Sequence, residues 1–409
     1  MTNLKICISI LFIAFTLNSN AKKKQDSTWI HYLNEVKLNF DPSCELLKKA
    51  DVERNQYFFI NEDHGYNANH QIALQLLKEL KEKSDFSYIM LEGDLMAAHN
   101  LNYFLSTGDT VFLKKYIDTG KGLFAWTKEN YNYYKAIYHL NKNYKNKLRF
   151  IGVDVAFSVQ SNIDTIAAIR RKYDLTCDFP IGDKKQNKVN DEQASYAQHI
   201  LKTNTSKFSI EDAFIHEYCT QNLINYYSCL QSSNWDQTRD SLIFENYKKL
   251  TCHYTLSSEK MMGLFGRNHG YQAKESDVDW LASRIKNESQ KQVYSIALFY
   301  IYGERMIPDH FIPGVLKLFR SKNKLYYNLK ITHDYNNYKK GIEQFYAVTN
   351  EHSIHSFNLN KTNSPYKEAN HLVKPNTKTS SVITTDCFQT AIVFRDPKPA
   401  TPLGENKKD

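Results

Sequence analysis

Tyr57-Phe58-Phe59-Ile60 is an apolar and aromatic run that passes directly into Asn61-Glu62-Asp63-His64-Gly65. A short run without polar alternation is typical of a β-strand that is buried on both faces, as in a parallel sheet. The same change from apolar to ionisable residues recurs in residues 88–94 (YIMLEGD), 150–154 (FIGVD) and 261–270 (MMGLFGRNHG).

The predicted secondary structure alternates between strands and helices after residue 50. Between the first two strands, residues 68–82 place Ile72, Leu76 and Leu80 on one face of a helix. A strand, a helix and a strand in this order form a βαβ unit with a right-handed crossover. The fold class is therefore predicted to be α/β, with a mostly parallel central sheet flanked by helices. Strands are predicted at residues 56–61, 87–92, 148–155, 260–265, 292–301, 324–331 and 390–395.

The domain organisation is predicted to be one α/β domain over residues 22–409. Residues 157–250 contain no convincing strand, and we interpret them as a helical insertion or cap. Residues 333–385 are rich in Asn, Lys, Ser and Thr and show weak periodicity, so they are predicted to form long loops. The last strand is predicted at residues 390–395.

The N-terminus has the pattern of a secretory signal peptide. Residues 6–17 are apolar, Lys5 precedes them, and Ser19-Asn20-Ala21 provides a small-residue cleavage site. We therefore predict a signal peptide over residues 1–21 and a periplasmic or secreted protein. An uncleaved membrane anchor is the alternative, although the run is short for a bilayer span. Six cysteines follow residue 21, and their irregular spacing favours buried thiols with at most one or two disulfides.

The composition excludes a disordered protein and gives no indication of nucleic-acid binding. The chain is 42% hydrophobic and 24% charged, which excludes a wholly disordered chain. Lys and Arg number 53 against 44 Asp and Glu, and this net charge of +9 is too small for a chain of 409 residues to imply nucleic-acid binding.

The four strand ends predict one shared site. If these strands are parallel neighbours, their carboxyl ends meet at the edge where open α/β sheets bind ligands. His64, Glu92, Asp154 and His269 would then converge on one crevice. A carboxylate beside a histidine fixes its tautomer and raises its basicity, so the pair can take a proton from water. The same side chains could instead bind a divalent metal, and any single one of them could be a turn residue or helix cap.

These residues resemble the motifs of the erythromycin esterase family. More broadly, they are similar to a superfamily that also contains ChaN-type haem-binding lipoproteins and Tiki-type metalloproteases. The resemblance covers most of the chain after residue 21 and depends on the order and spacing of short motifs. The matching segments are Asn61-Glu62-Asp63-His64-Gly65, Glu92, Gly152-Val153-Asp154, Arg239-Asp240 with Glu245-Asn246, Asn268-His269, and the closing strand and Pro-rich tail from residue 388.

Two motifs differ from the family pattern. The glutamate that the family carries three residues before the histidine corresponds to Asn61, and Glu62 is displaced by one position. This displacement turns the carboxylate to the opposite face of an extended strand, unless a turn at the strand end restores it. The family's His-Asn-x-His reads Arg267-Asn268-His269-Gly270.

The resemblance implies a hydrolase that cleaves an ester or related acyl bond with water activated by His64, without a covalent intermediate. The absence of a Gly-x-Ser-x-Gly elbow agrees with this. Glu92 would orient His64 or bind substrate, His269 and Arg267 would stabilise the oxyanion, and Arg239 would add positive charge from the helical insertion. The further candidates for substrate binding are Glu62, Asp63, Asp94, Asn268 and Trp126.

Two alternatives remain open on the sequence. One is a haem- or metal-binding protein of the ChaN type, and the other is a metal-dependent peptidase of the Tiki type. A hydrolase of the leading type needs no cofactor and no residue is assigned as a metal ligand, whereas a divalent metal or haem belongs to the alternatives. The expected partner is a small-molecule substrate, with no nucleic acid and no stable membrane insertion after signal cleavage; the oligomeric state is not predicted.

Overall fold

One sheet of eight strands lies at the centre of the structure. The structure, a computed structural model, describes residues 27–41, 44–180, 186–275, 277–312, 323–331, 341–373 and 382–405. The predicted signal peptide, residues 1–21, lies outside these ranges. Among the described helices, none has both the length and the apolar character that a membrane span requires.

The sheet has the strand order β1-β9-β10-β6-β2-β5-β3-β4. All pairs from β10 through β4 are parallel, whereas β9 is antiparallel to both β1 and β10. The strands are β1 (Lys37–Asn39), β2 (Tyr57–Glu62), β3 (Tyr88–Leu91), β4 (Arg149–Gly152), β5 (Met261–Gly266), β6 (Val293–Ile301), β7 (Glu304–Pro308), β8 (Tyr326–Lys330), β9 (Ile354–Asn358) and β10 (Thr390–Arg395).

Helices cover both faces of the sheet. Along β2, Phe58 and Ile60 pack into one hydrophobic cluster while Tyr57 and Phe59 pack into another, which explains why the strand lacks polar alternation. The helices are α1 (residues 27–36), α2 (Lys49–Arg54), α3 (Asn69–Ser84), α4 (Leu95–Thr107), α5 (Thr110–Asp118), α6 (Lys128–Asn143), α7 (Val159–Lys172), α8 (Gln186–Leu201), α9 (Ile210–Gln231), α10 (Trp235–His253), α11 (Leu281–Asn287), α12 (Ile342–Val348) and α13 (Thr384–Cys387).

The predicted fold class is confirmed: the sheet is mostly parallel and is flanked by helices. Helices α7–α10 occupy the region of the predicted insertion, and its described residues contain no strand. The six described cysteines are all free thiols.

Of two further sequence-based predictions, one is confirmed and the other is wrong in part. The strand predicted at residues 324–331 forms, as β8, but it pairs with β7 in a separate two-stranded sheet. The loops predicted for residues 333–385 contain β9, which is paired on both sides within the main sheet. Strand β9 was missed because His355 and Ser356 interrupt its apolar residues, although both are buried in the structure.

Asp94 joins the start of α4 to the start of the helical region. It is fully buried, and its Oδ1 accepts a hydrogen bond from the backbone N–H of Ala97 at 2.8 Å as an N-cap. Its Oδ2 accepts from the backbone N–H of Ser158 at 2.8 Å and from Asn162 Nδ2 at 3.0 Å. One carboxylate therefore holds the end of β3 against the segment that leads into α7.

Replacing Asp94 with alanine should lower the free energy of unfolding by about 2–3 kcal/mol, because two buried donors lose their acceptor in addition to the lost cap. Asp109 is the matched control, since it caps α5 through Val111 and Phe112 at an exposed site. Asp109→Ala should cost about 1 kcal/mol. Urea denaturation at neutral pH measures both, and equal losses would contradict the bridging role of Asp94.

Candidate active site

The predicted site residues follow three adjacent strands of the sheet. In the order β2-β5-β3, the strand ends lead into His64, His269 and Glu92. Gly266 lies at their meeting point: a Cβ added there would lie 3.5 Å from His64 Nε2, 3.5 Å from Glu92 Oε1 and 3.5 Å from His269 Cδ2. The two imidazoles and one carboxylate therefore face one small space above a residue that has no side chain.

The turn after β2 restores the contact between the displaced glutamate and the histidine. Glu62 Oε1 lies 2.5 Å from His64 Nδ1, and Gly65 provides the turn with a φ of +96°. Asn69 donates a hydrogen bond to Glu62 Oε2, and the Tyr300 hydroxyl donates to Asn69 Oδ1 at 2.6 Å. This chain of bonds favours the tautomer with hydrogen on Nδ1, which leaves Nε2 free to accept a proton.

The charges around His64 favour its protonated form. Burial lowers the pKa of His64, but the Glu62 carboxylate, followed by that of Glu92, outweighs it and raises the pKa above its ordinary value, while Arg305 opposes this rise. The side chain is 38% exposed, so water reaches it. His64 therefore has the position and basicity of a general base.

Arg239 connects the helical region to the other half of the site. It extends from α10, its Nε donates to Asp154 Oδ1 at 3.0 Å, and its Nη2 donates to Asp154 Oδ2 and, at 3.0 Å, to Glu92 Oε1. Its Nη1 lies 3.1 Å from His269 Nε2. Burial lowers the pKa of Arg239, but the Asp154 carboxylate more than compensates and raises it, so the guanidinium stays charged.

Two asparagines bind the backbone of Asp154. Its backbone carbonyl accepts hydrogen bonds from Asn222 Nδ2 at 2.9 Å and from Asn246 Nδ2 at 3.1 Å. Asn246 follows Arg239 by seven residues, or two helical turns, so one face of α10 carries both side chains. This arrangement fixes the carboxylate that binds Arg239.

His269 is held in place by the residue that follows Arg239. Its Nδ1 lies 2.8 Å from Asp240 Oδ2, while Asp240 Oδ1 accepts the backbone N–H of Leu281 at 2.8 Å. Burial lowers the pKa of His269, but Asp240 outweighs it and raises the pKa to about 10. Burial raises the pKa of Glu92, whereas His269, His64 and Arg239 hold it well below its ordinary value. His269 and Glu92 are therefore an imidazolium and a carboxylate side by side, with His269 Nε2 3.4 Å from Glu92 Oε1.

Arg267 and Asp63 form an ion pair beside this space. Arg267 Nη2 donates to Asp63 Oδ2 at 3.0 Å and to the backbone carbonyl of Leu298. Only 5% of Arg267 is exposed, and its guanidinium lies 4.7 Å from the ring centre of Phe299. These contacts connect the turn after β2 to the backbone of β6.

The remaining predicted substrate-binding residues have other contacts. Asn268 is half-buried in the 3-10 turn Arg267–Gly270, where its carbonyl accepts the backbone N–H of Tyr271 at 3.0 Å. Asp94 is the buried cap described above. Trp126 is buried in a hydrophobic cluster, donates to Asp118 Oδ1 at 2.8 Å and stacks on Tyr326. The aromatic ring that contacts His64 is Phe124, with ring centres 5.3 Å apart.

Sequence reasoning missed several residues of the site. Asn69 and Tyr300 support Glu62, and Arg305 donates to the backbone carbonyl of His64 at 2.5 Å. Nothing in their local sequence distinguishes them: the contacts of Tyr300 and Arg305 are with residues more than 200 positions away, and that of Asn69 depends on how the turn after β2 folds. Asp240 had a signal, because it adjoins Arg239, which the sequence analysis named as a candidate.

No group of three or more His, Cys, Asp or Glu side chains within the described ranges has the arrangement of a metal site. The carboxylates Glu62, Glu92, Asp154 and Asp240 are each engaged with an imidazole or a guanidinium. The oxygen atoms of these carboxylates therefore bind imidazole or guanidinium groups of the protein.

Solved structures share this fold. A protein from Bacillus cereus superposes with a TM-score of 0.63 at 16% identity, over 93% of this chain and 99% of that chain. A succinoglycan biosynthesis protein gives 0.65 at 13% identity, with the same coverage of 93% and 99%. A histidine-to-asparagine mutant of the erythromycin esterase EreC, in its open conformation, gives 0.61 at 13% identity, over 87% of this chain and 94% of that chain.

The sequence itself matches no family model and no curated protein. The likeness to the solved structures therefore concerns the arrangement of the chain in space and extends over nearly its whole length. The chain has an erythromycin-esterase-like α/β fold.

Proposed function

We propose that this protein is an exported hydrolase that cleaves an ester or related acyl bond with water activated by His64. The observation that carries the proposal is the Glu62–His64 pair, whose free Nε2 faces the same point above Gly266 as Glu92 and His269. Export is inferred from the signal-peptide pattern of residues 1–21.

The reaction uses one imidazole as a base and the other as an acid partner. His64 Nε2 takes a proton from water while the water oxygen bonds to the carbonyl carbon. The His269 imidazolium, held by Asp240 at 2.8 Å, donates to the oxyanion that develops. The tetrahedral intermediate then breaks its carbon–oxygen bond to the leaving group, and the proton on His64 passes to the departing oxygen. No residue becomes acylated.

The two arginines act mainly by position and charge in this proposal. The direct bonds of Arg239 go to Asp154 and Glu92, so it fixes Glu92 and adds positive charge near the oxyanion. Arg267 is buried against Phe299 and holds the turn that carries Asp63. Neither arginine needs to touch the substrate for these roles.

Aromatic side chains beside the site indicate apolar groups on the substrate. Phe157 is 49% exposed and its ring centre lies 5.2 Å from the guanidinium carbon of Arg239. On the His64 side, Phe124 stacks against Phe311, which is 56% exposed. We therefore propose that the substrate is a small-molecule ester with apolar groups next to the scissile bond. The proposed reaction uses no cofactor.

His64→Ala should lower kcat/KM for hydrolysis of p-nitrophenyl acyl esters or of the erythromycin lactone by at least about 100-fold, because the general base is lost. The matched control is His99→Ala, which removes an exposed histidine of α4 and should leave the rate unchanged. Product release followed by absorbance or mass spectrometry measures the rate, and circular dichroism checks that both variants fold.

The same assay separates the alternatives. Hydrolysis by the proposed route persists in a chelator. Peptide hydrolysis that is lost in a chelator and restored by a divalent ion would instead indicate a metal-dependent peptidase. Saturable haemin binding that disappears in His64→Ala or His269→Ala, without any hydrolysis, would indicate a haem-binding protein and overturn the proposal.

The pH dependence of kcat/KM should be bell-shaped. The acid limb should lie above pH 6.5, because Glu62 raises the pKa of His64 and the base works only when neutral. The alkaline limb should lie near pH 10, where His269 loses its proton. Glu62→Gln should move the acid limb to lower pH, and Asp240→Asn should move the alkaline limb to lower pH. A limb that stays in place in its variant would remove that histidine from the proposed role.

A further inference from the structure

Arg305 lies outside the main sheet but contacts the turn that carries His64. It belongs to β7 of the two-stranded sheet, and its Nε donates to the backbone carbonyl of His64 at 2.5 Å. The next residue, Met306, donates its backbone N–H to the carbonyl of Gly65 at 3.0 Å. Two successive residues of β7 therefore bind two successive carbonyls of the catalytic turn.

Gly65 fits closely against this strand. A Cβ at Gly65 would lie 2.2 Å from the backbone oxygen of Met306, so any side chain there would separate the turn from β7. The carbonyl of Gly65 also accepts the backbone N–H of Ala400 at 2.9 Å. The position of the turn is thus set from outside the sheet, by β7 and by the C-terminal segment.

The same hairpin holds the loop that carries Phe124. Tyr326 of β8 accepts the backbone N–H of Gly122 at 2.7 Å and donates to the carbonyl of Leu123 at 3.0 Å. The guanidinium carbon of Arg305 lies 5.4 Å from the ring centre of Phe124, which in turn lies 5.3 Å from the ring centre of His64. The Phe124 ring therefore lies next to both the Arg305 guanidinium and the His64 imidazole.

We propose that Arg305 is a positioning residue that fixes the His64 turn and whose positive charge opposes protonation of the imidazole. The role follows from geometry: the cation is bonded to the backbone of the residue whose side chain must lose and gain a proton. This inference rests on the proposed function of His64, and it adds a residue that the reaction scheme above does not use.

The charged groups around His64 act in opposite directions. Glu62 at the end of β2 and Glu92 after β3 favour the imidazolium, whereas Arg305 on β7 disfavours it. His70 on α3 also interacts with His64 and Glu62, and burial lowers its own pKa. Because the two carboxylates raise the pKa of His64, a nearby cation is needed to limit the rise.

The test is the pKa of His64 measured by NMR, with ¹³C-labelled histidine and no substrate present. Arg305→Gln removes the charge while retaining a side-chain N–H donor, and it should raise the pKa of His64 by about 0.5–1. The acid limb of kcat/KM should move to higher pH by the same amount, so activity at pH 6 should fall about 3- to 10-fold. The matched control is Arg149→Gln, at the start of β4, an edge strand of the main sheet. It should change neither the pKa of His64 nor the position of the acid limb.

A second variant separates charge from packing. Arg305→Lys keeps the charge but loses the guanidinium Nε that donates to the carbonyl of His64, so the pKa of His64 should stay within about 0.2 of the parent value while kcat/KM falls. This variant carries the test if R305Q does not fold. An unchanged pKa in R305Q, or a rise in R305K as large as in R305Q, would overturn the inference. If no substrate is hydrolysed but the NMR shift occurs, the proposed function fails and the electrostatic role of Arg305 stands.

Discussion

The guanidinium of Arg239 is the interaction on which the geometry of the site depends. It donates hydrogen bonds to Asp154 and Glu92, and it lies beside His269, which is the partner of Glu92; the three residues belong to three different connections at the sheet edge. A buried cation requires buried anions, and each carboxylate in turn would be costly without its partner. The helical region between β4 and β5 therefore completes the site, because α10 supplies both Arg239 and Asp240.

The two histidines are prepared for opposite tasks by their carboxylates. His64 has one acceptor, Glu62, on Nδ1 and a solvent-accessible ring, which leaves Nε2 as a base. His269 is buried between Asp240 and Glu92, and its raised pKa keeps it cationic at neutral pH. Two identical residue types thus acquire different chemistry from their surroundings, as the proposed hydrolysis requires of its base and its oxyanion donor.

The support for the site comes from several layers of the fold. Asn69 of α3 donates a hydrogen bond to Glu62, and Tyr300 of β6 donates one to Asn69. Arg305 of β7 donates to the backbone carbonyl of His64. The shift of the glutamate from position 61 to position 62 is compatible with the contact to His64 because the chain turns directly after Glu62, the last residue of β2. Beyond the strand end, the alternation of faces no longer determines where a side chain points.

The sequence by itself determined the α/β class and the six strands β2–β6 and β10. It also determined the sheet edge that His64, Glu92, Asp154 and His269 share. Both could be predicted because uniformly apolar runs, and the polar residues that end them, are local signals. Only the tertiary structure decided that β9 lies within the sheet, that Asp94 caps α4 and that Trp126 donates to Asp118. It also decided that Asp240, Asn69, Tyr300 and Arg305 support the histidines. These contacts join residues up to about 240 positions apart, as between His64 and Arg305. Partners at such separation are chosen by packing in space, and periodicity along the chain carries no information about them.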